Sequence, residues 1–233
     1  MTIKYGIIGC GMMGGEHIRN INLLEGAEVV AVTDPIKENI EQAMALAGNN
    51  CQPFANVGDL LDKGDCDALV IASPNHTHHD LLMALADSDL PILAEKPLGI
   101  SLQECEAIAD RYAGRSAPVW VAMEYRYIAP VTRLIDALHD GTAGDVQMIS
   151  IREYRYPFLA KHGDWNRFNE KTGGTLVEKC CHFFDLMRLL SQSEPIRIYA
   201  SGGMNVNHVD EEYDGVKPDI LDNAYVVVDF ENG

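Results

Sequence analysis

Ile3-Lys4-Tyr5-Gly6-Ile7-Ile8-Gly9-Cys10-Gly11-Met12-Met13-Gly14 opens the chain, and Val29-Val30-Ala31-Val32-Thr33-Asp34 follows it. The first stretch predicts an apolar strand, a glycine turn and the start of a helix; the second predicts another strand ending in a carboxylate. A G-x-G-x-x-G run is weak alone, but here strand, turn, helix and acid come in the required order, with Asp34 20 positions after Gly14. Gly9 permits the turn, Gly11 lets a pyrophosphate approach the backbone without meeting a Cβ, and Gly14 lets the helix pack close to the strand. The N–H groups at the helix start, around Met12 and Met13, lack intrahelical acceptors and face the phosphates. Asp34 can accept hydrogen bonds from ribose hydroxyls and would repel a 2′-phosphate, so NAD is expected rather than NADP. The blander reading is a glycine-rich turn in an ordinary α/β domain.

Downstream, Ile36 to Ala47 has helical spacing and stops at Gly48, and Asn56 to Lys63 reads as a short helix. Asp67-Ala68-Leu69-Val70-Ile71-Ala72 is an apolar run of the kind a parallel strand covered on both faces requires. A helix over Thr77 to Asp87, a strand over Pro91 to Ala94, a helix over Ser101 to Tyr112 and a strand over Val119 to Ala122 continue the alternation. Residues 1–122 are therefore expected to form a doubly wound α/β Rossmann domain. Beyond them the rhythm changes to a helix over Pro130 to His139, a long strand over Asp145 to Arg155, a helix over Thr175 to Leu190, and strands near Arg197 to Met204 and Ala224 to Phe230. That predicts a second, α+β domain over 123–233. Pro157 to Thr172 reads as a long aromatic loop, and the acid-rich stretch Asn205 to Asp219 is expected to be mobile. Phe230-Glu231-Asn232-Gly233 reads as a strand entering a turn with no returning strand, so a truncated protein is expected.

With 233 residues, 47% of them hydrophobic, the chain can bury one large core or two modest ones. A formal net charge of −17 opposes nucleic acid and anionic membranes as partners. No membrane-span pattern and no signal pattern stands out, and the expected location is the cytoplasm. Cys10, Cys51, Cys66, Cys105, Cys180 and Cys181 show no disulfide framework and are expected to be reduced. Cys180-Cys181-His182 and His76-Thr77-His78-His79 lack C-x-x-C spacing, and no metal site is expected.

Four further constellations carry chemistry. Ser73-Pro74-Asn75-His76-Thr77-His78 follows a buried strand at the carboxyl edge where open α/β sheets bind ligands, and Ser73, Asn75 and His78 are expected at the cofactor; turn chemistry alone is the alternative. Glu95-Lys96-Pro97 follows the next strand, where a lysine can stabilise negative charge on a reacting oxygen; a surface ion pair is its dull counterpart. In Gly173-Gly174-Thr175-Leu176-Val177-Glu178-Lys179-Cys180-Cys181-His182-Phe183-Phe184-Asp185, helical spacing puts Glu178, His182 and Asp185 on one face. Such groups on an apolar helix are expensive to bury unpartnered, which favours a cleft over a satisfied core histidine. Glu124-Tyr125-Arg126-Tyr127, at the expected domain junction, orients substrate or serves packing.

Together these motifs, in this order, resemble the Gfo/Idh/MocA oxidoreductases over essentially the whole chain. The resemblance implies a Rossmann domain followed by a domain with a large open, mainly antiparallel sheet, incomplete here, and hydride transfer between NAD(P) and a sugar, inositol or related polyol. It implies Lys96 and His182 as catalytic residues, Glu95, Lys96 and Pro97 at the cofactor, and homo-oligomers. Glu178 stands where many members carry Asp, and Cys180 replaces a common glycine. Glu178 and Arg126 are expected to bind neighbouring hydroxyls, with Trp165 and Arg167 closing over them. Two other readings remain open at this point, a non-catalytic NAD-binding regulatory protein and an inactive fragment of a dehydrogenase.

Overall fold

Ile7 and Ile8 are adjacent, both buried, and belong to different cores. A strand alternates its side chains between faces, so this requires a sheet covered on both sides. The computed structural model describes residues 2–233, in two units, residues 2–122 and 123–233.

In the first unit, strands β1 (Ile3–Ile8), β2 (Ala27–Thr33), β3 (Gln52–Pro53), β4 (Ala68–Ile71), β5 (Ile92–Ala94) and β6 (Val119–Val121) form one sheet in the order β3-β2-β1-β4-β5-β6. Every pairing is parallel. Helices α1 (Met12–Ile21) and α2 (Lys37–Ala47) supply Ile18, Ile21 and Ala43 to one core. Helices α3 (Val57–Lys63), α4 (His78–Leu85) and α5 (Leu102–Tyr112) supply Leu60, Leu82, Leu85 and Ile108 to the other. Each fully buried aliphatic side chain contributes about 1.5–3 kcal/mol. The strand order reverses between β1 and β4, which opens a crevice at their carboxyl ends. Strand β3 was not foreseen: it has two residues, and its proline is tolerated because it lies at the sheet edge.

The second unit contains α6 (Ala129–His139), α7 (Asn169–Thr172), α8 (Thr175–Glu178), α9 (Cys181–Ser191) and an antiparallel pair, β7 (Pro195–Gly203) and β8 (Asn223–Phe230). Three expectations change here. The long strand over Asp145 to Arg155 is absent: that stretch pairs with no other strand among the described residues, and strand propensity without a hydrogen-bonding neighbour makes no sheet. The helix over Thr175 to Leu190 is broken between Glu178 and Cys181, so Glu178 and His182 are not on one continuous helix. The segment 205–219 is tied down rather than left to solvent. The Asp222 carboxylate accepts the backbone N–H groups of Asn205, Val206 and Asn207, and Glu211 pairs with His208, Tyr213 and Arg167. The acids that suggested mobility are thus its fasteners.

Candidate functional site

At the end of β1 the backbone turns at Gly9, whose φ of +89° favours glycine; a Cβ there would lie 2.6 Å from Ser73 N. A Cβ on Gly14 would land on the carbonyl oxygen of Gly9, so only glycine lets α1 start this close to the turn. Gly11 differs: its φ is −68°, and a Cβ there would meet nothing within 4 Å. That open space lies at the start of α1, which has no side-chain cap and no acid in its first turn. A phosphate fits such a cradle. Asp34, just past β2, is joined to the turn: its Oδ2 accepts the N–H of Cys10 at 2.7 Å and its Oδ1 accepts that of Ile36 at 2.8 Å. Oδ1 also receives the Asn39 side-chain amide at 3.2 Å, so Oδ2 is the oxygen that retains acceptor capacity for a ribose hydroxyl. Cys10 is buried beneath the turn, and burial together with the nearby Asp34 charge pushes its thiol up to about 12, so it is no nucleophile.

The loops after β4 and β5 lie along the same carboxyl edge. Ser73 Oγ is 2.6 Å from Thr77 Oγ1, and Asn75 is buried. His78, expected to touch the cofactor, is wholly buried, with Nε2 3.0 Å from Ser73 O and Nδ1 2.7 Å from Pro97 O. Both ring nitrogens face backbone carbonyls, one in each loop, so the ring lies between the two loops and reaches a ligand only through them. Lys96 is half-buried and precedes a cis bond to Pro97. Glu95 is buried, and its carboxylate receives the Lys96 N–H at 3.2 Å and faces His17 Nε2 at 2.8 Å. Burial alone would push its carboxyl up, but His17, together with the charge and the N–H of Lys96, outweighs this and holds it below the usual carboxylate range. Sequence reasoning missed His17. The signal was its place on α1, three residues after Gly14, on the helix side that returns toward the sheet.

In the second unit, His182 is buried on α9, its ring stacked on Tyr125 with centroids 4.3 Å apart and planes 8° from parallel. Its Nε2 lies 3.4 Å from Glu124 Oε1. Arg126 was expected to bind a hydroxyl, but its guanidinium forks onto Asp185, with Nε to Oδ2 at 2.6 Å. That pair raises the Arg126 pKa and fixes the segment Glu124–Tyr127 against α9, which sets Tyr125 over the imidazole. Lys179, in the break between α8 and α9, donates to Tyr125 Oη at 2.7 Å. Glu178 and Trp165 are half-buried. Arg167, expected to close over substrate, is buried; its Nε donates to Glu211 Oε2 and its Nη2 to Phe158 O, both at 2.9 Å. Its charge is spent on holding loops together. Among the described residues, no group of three or more His, Cys, Asp or Glu is placed to hold a metal ion.

Residues 3–123 match the oxidoreductase family with the NAD-binding Rossmann fold, and residues 135–233 match its C-terminal alpha/beta domain. The chain belongs to the Gfo/Idh/MocA family. It is similar to the rhizopine catabolism protein MocA of Rhizobium meliloti, 30% identical over 82% of this chain and 58% of that protein. It is also similar to an inositol 2-dehydrogenase of Ralstonia nicotianae, 34% identical over 82% of this chain and 55% of that protein. The chain thus spans somewhat more than half the length of these curated relatives. Among solved structures, the myo-inositol dehydrogenase of Lactobacillus casei in complex with NAD(H) and myo-inositol is 28% identical, with a TM-score of 0.79 over 100% of this chain and 65% of that one. A putative myo-inositol dehydrogenase from Sinorhizobium meliloti shares the fold, at 24% identity and a TM-score of 0.84 over 100% of this chain and 67% of that one.

Proposed function

We propose that this chain carries the NAD-binding and catalytic residues of an oxidoreductase that moves a hydride between NAD and a hydroxyl-bearing carbon of a polyol, inositol being the first compound to test. The observation that carries the reading is the open space over Gly11 beside the Asp34 carboxylate. The phosphates would lie against the N–H groups of Met12, Met13 and Gly14, and Asp34 would take the adenosine ribose hydroxyls. Nicotinamide, when bound, supplies the hydride acceptor or donor. In the oxidation direction, Lys96 donates a hydrogen bond to the substrate oxygen and His182 takes the hydroxyl proton. Glu178 and Trp165 contact neighbouring hydroxyls, whereas Arg126 and Arg167 serve by holding Tyr125 and the loops. The names of the 34% and 28% identical relatives support the substrate class. Homo-oligomers in the cytoplasm complete the proposal.

Calorimetry with NAD, then a panel of polyols followed at the NADH absorbance, tests this reading. Asp34→Ala weakens NAD and narrows its margin over NADP. Lys96→Met and His182→Asn lower turnover by about 10²–10⁴-fold while leaving NAD affinity nearly unchanged. Native protein that does not bind NAD refutes the proposal; saturable binding without turnover on any polyol leaves only a nucleotide-binding role.

A further inference from the structure

Two histidines grip the Glu95-Lys96-Pro97 segment from opposite ends. His78, from α4, meets the carbonyl of Pro97 at 2.7 Å. His17, from α1, meets the carboxylate of Glu95 at 2.8 Å, and the other oxygen of that carboxylate receives the N–H of Lys96 itself. The His17 and Glu95 side chains are 18% and 9% exposed, so the pair is only weakly screened by water. Glu95 is held further by its own N–H on Ile71 O, inside the sheet. Lys96 stands between these two anchors.

We propose that His17 is a positioning residue for Lys96, acting through Glu95, and that the helix offering its first N–H groups to the cofactor phosphates thereby also sets the lysine loop. This rests on the function proposed above. The chemistry is specific. A carboxylate already bonded to the following backbone N–H has one oxygen left facing α1, and His17 Nε2 is the donor that occupies it. Without that donor, the Glu95 side chain is a buried carboxylate short of one partner, and it must turn toward water. Turning withdraws its other oxygen from Lys96 N–H, which frees the peptide that carries the ammonium group. His78 still holds the loop from the Pro97 end and the Glu95 N–H on Ile71 O still holds the strand before it, while the Lys96 peptide between them has lost its carboxylate acceptor.

The side-chain amide of glutamine reaches about as far as Nε2 of histidine, and that of asparagine only about as far as Nδ1. His17→Gln therefore keeps the bond to Glu95 and His17→Asn loses it, although both replacements are polar and of similar size. Partial acetylation of the native protein and both variants, followed by peptide mass mapping, compares Lys96 with Lys37, whose side chain is 84% exposed. In His17→Asn the relative rate at Lys96 rises by roughly tenfold, the lower end of the equilibrium worth of one hydrogen bond to a charged group; in His17→Gln it stays at the native rate. Glu95→Gln keeps the shape, removes the charge and shifts the rate in the same direction by less. With a polyol that turns over, His17→Asn lowers kcat and leaves the KM for NAD unchanged, and His17→Gln restores kcat. Equal Lys96 rates in native protein and folded His17→Asn, or equal rates in the Asn and Gln variants, overturn the proposal. Native protein that fails to bind NAD overturns the functional reading instead, while the acetylation result still reports on the clasp.

Discussion

Gly11→Ala separates binding from folding, because Gly11 is the glycine of the turn that the fold itself does not need. Its φ of −68° is open to alanine, and the added methyl meets no atom within 4 Å. Two opposing effects set its stability. Losing glycine's freedom in the unfolded chain favours the variant by about 0.4–1 kcal/mol, and alanine is poorer than glycine as a helix N-cap by about 0.5–1 kcal/mol. They cancel, and the denaturation midpoint stays near that of the native protein. Binding responds differently, since the methyl occupies the space assigned to the pyrophosphate. Loss of one charge-assisted hydrogen bond costs about 1.5–3 kcal/mol, or roughly 10- to 150-fold in the NAD dissociation constant. Gly14→Ala provides the contrast. Its Cβ collides with Gly9 O, and overpacking of about 1–3 kcal/mol exceeds the helix-propensity gain of about 1 kcal/mol. Urea denaturation and calorimetry on the same samples give both numbers. Gly11→Ala with native NAD affinity would falsify the phosphate assignment; Gly11→Ala that unfolds would show that the turn depends on something other than the geometry described.

Two other outcomes follow from charge and burial. Asp222 is held down to about 2 because the N–H groups of Val206, Asn207 and Asn205 and the Asn223 amide outweigh its burial. A lowered folded-state pKa means that this stabilisation is complete above the unfolded value of about 4 and fades as pH falls toward 2. The native protein should lose denaturant resistance over that window, and Asp222→Asn should be weaker at neutral pH with a flatter acid response. Unfolding followed at both ends of the window checks this. Cys10 should resist iodoacetamide at pH 8, since its thiol is buried and pushed up to about 12. Alkylation of Cys10 in folded protein as fast as of a free thiol would contradict the described turn.

The alternation of apolar runs and helical spacings fixes residues 1–122 because each signal there is local. A strand covered on both faces must be apolar throughout, as Leu69, Val70 and Ile71 are. A turn with positive φ, where a Cβ would stand 2.6 Å from a neighbouring backbone nitrogen, requires glycine at position 9, and that requirement is legible in the motif. The expected strand over Asp145 to Arg155 fails for the opposite reason, since a ladder needs a partner that local pattern does not supply. The helix break at Lys179 and the tethering of 205–219 likewise depend on groups distant in the chain.

What the sequence by itself determined is the set of chemical types and the elements that carry them: three glycines and an acid after β1 and β2, a lysine after β5, and a histidine on a helix of the second unit. Only the tertiary structure decided which of those groups are available and which are committed. Arg126 and Arg167 are spent on Asp185 and Glu211, and His78 is enclosed between two carbonyls, while His17, which no motif marked, stands behind Glu95. The physical reason is that a charged or polar side chain taken out of water must find a partner. The partner comes from whatever the fold brings near, and that is a property of packing rather than of spacing along the chain.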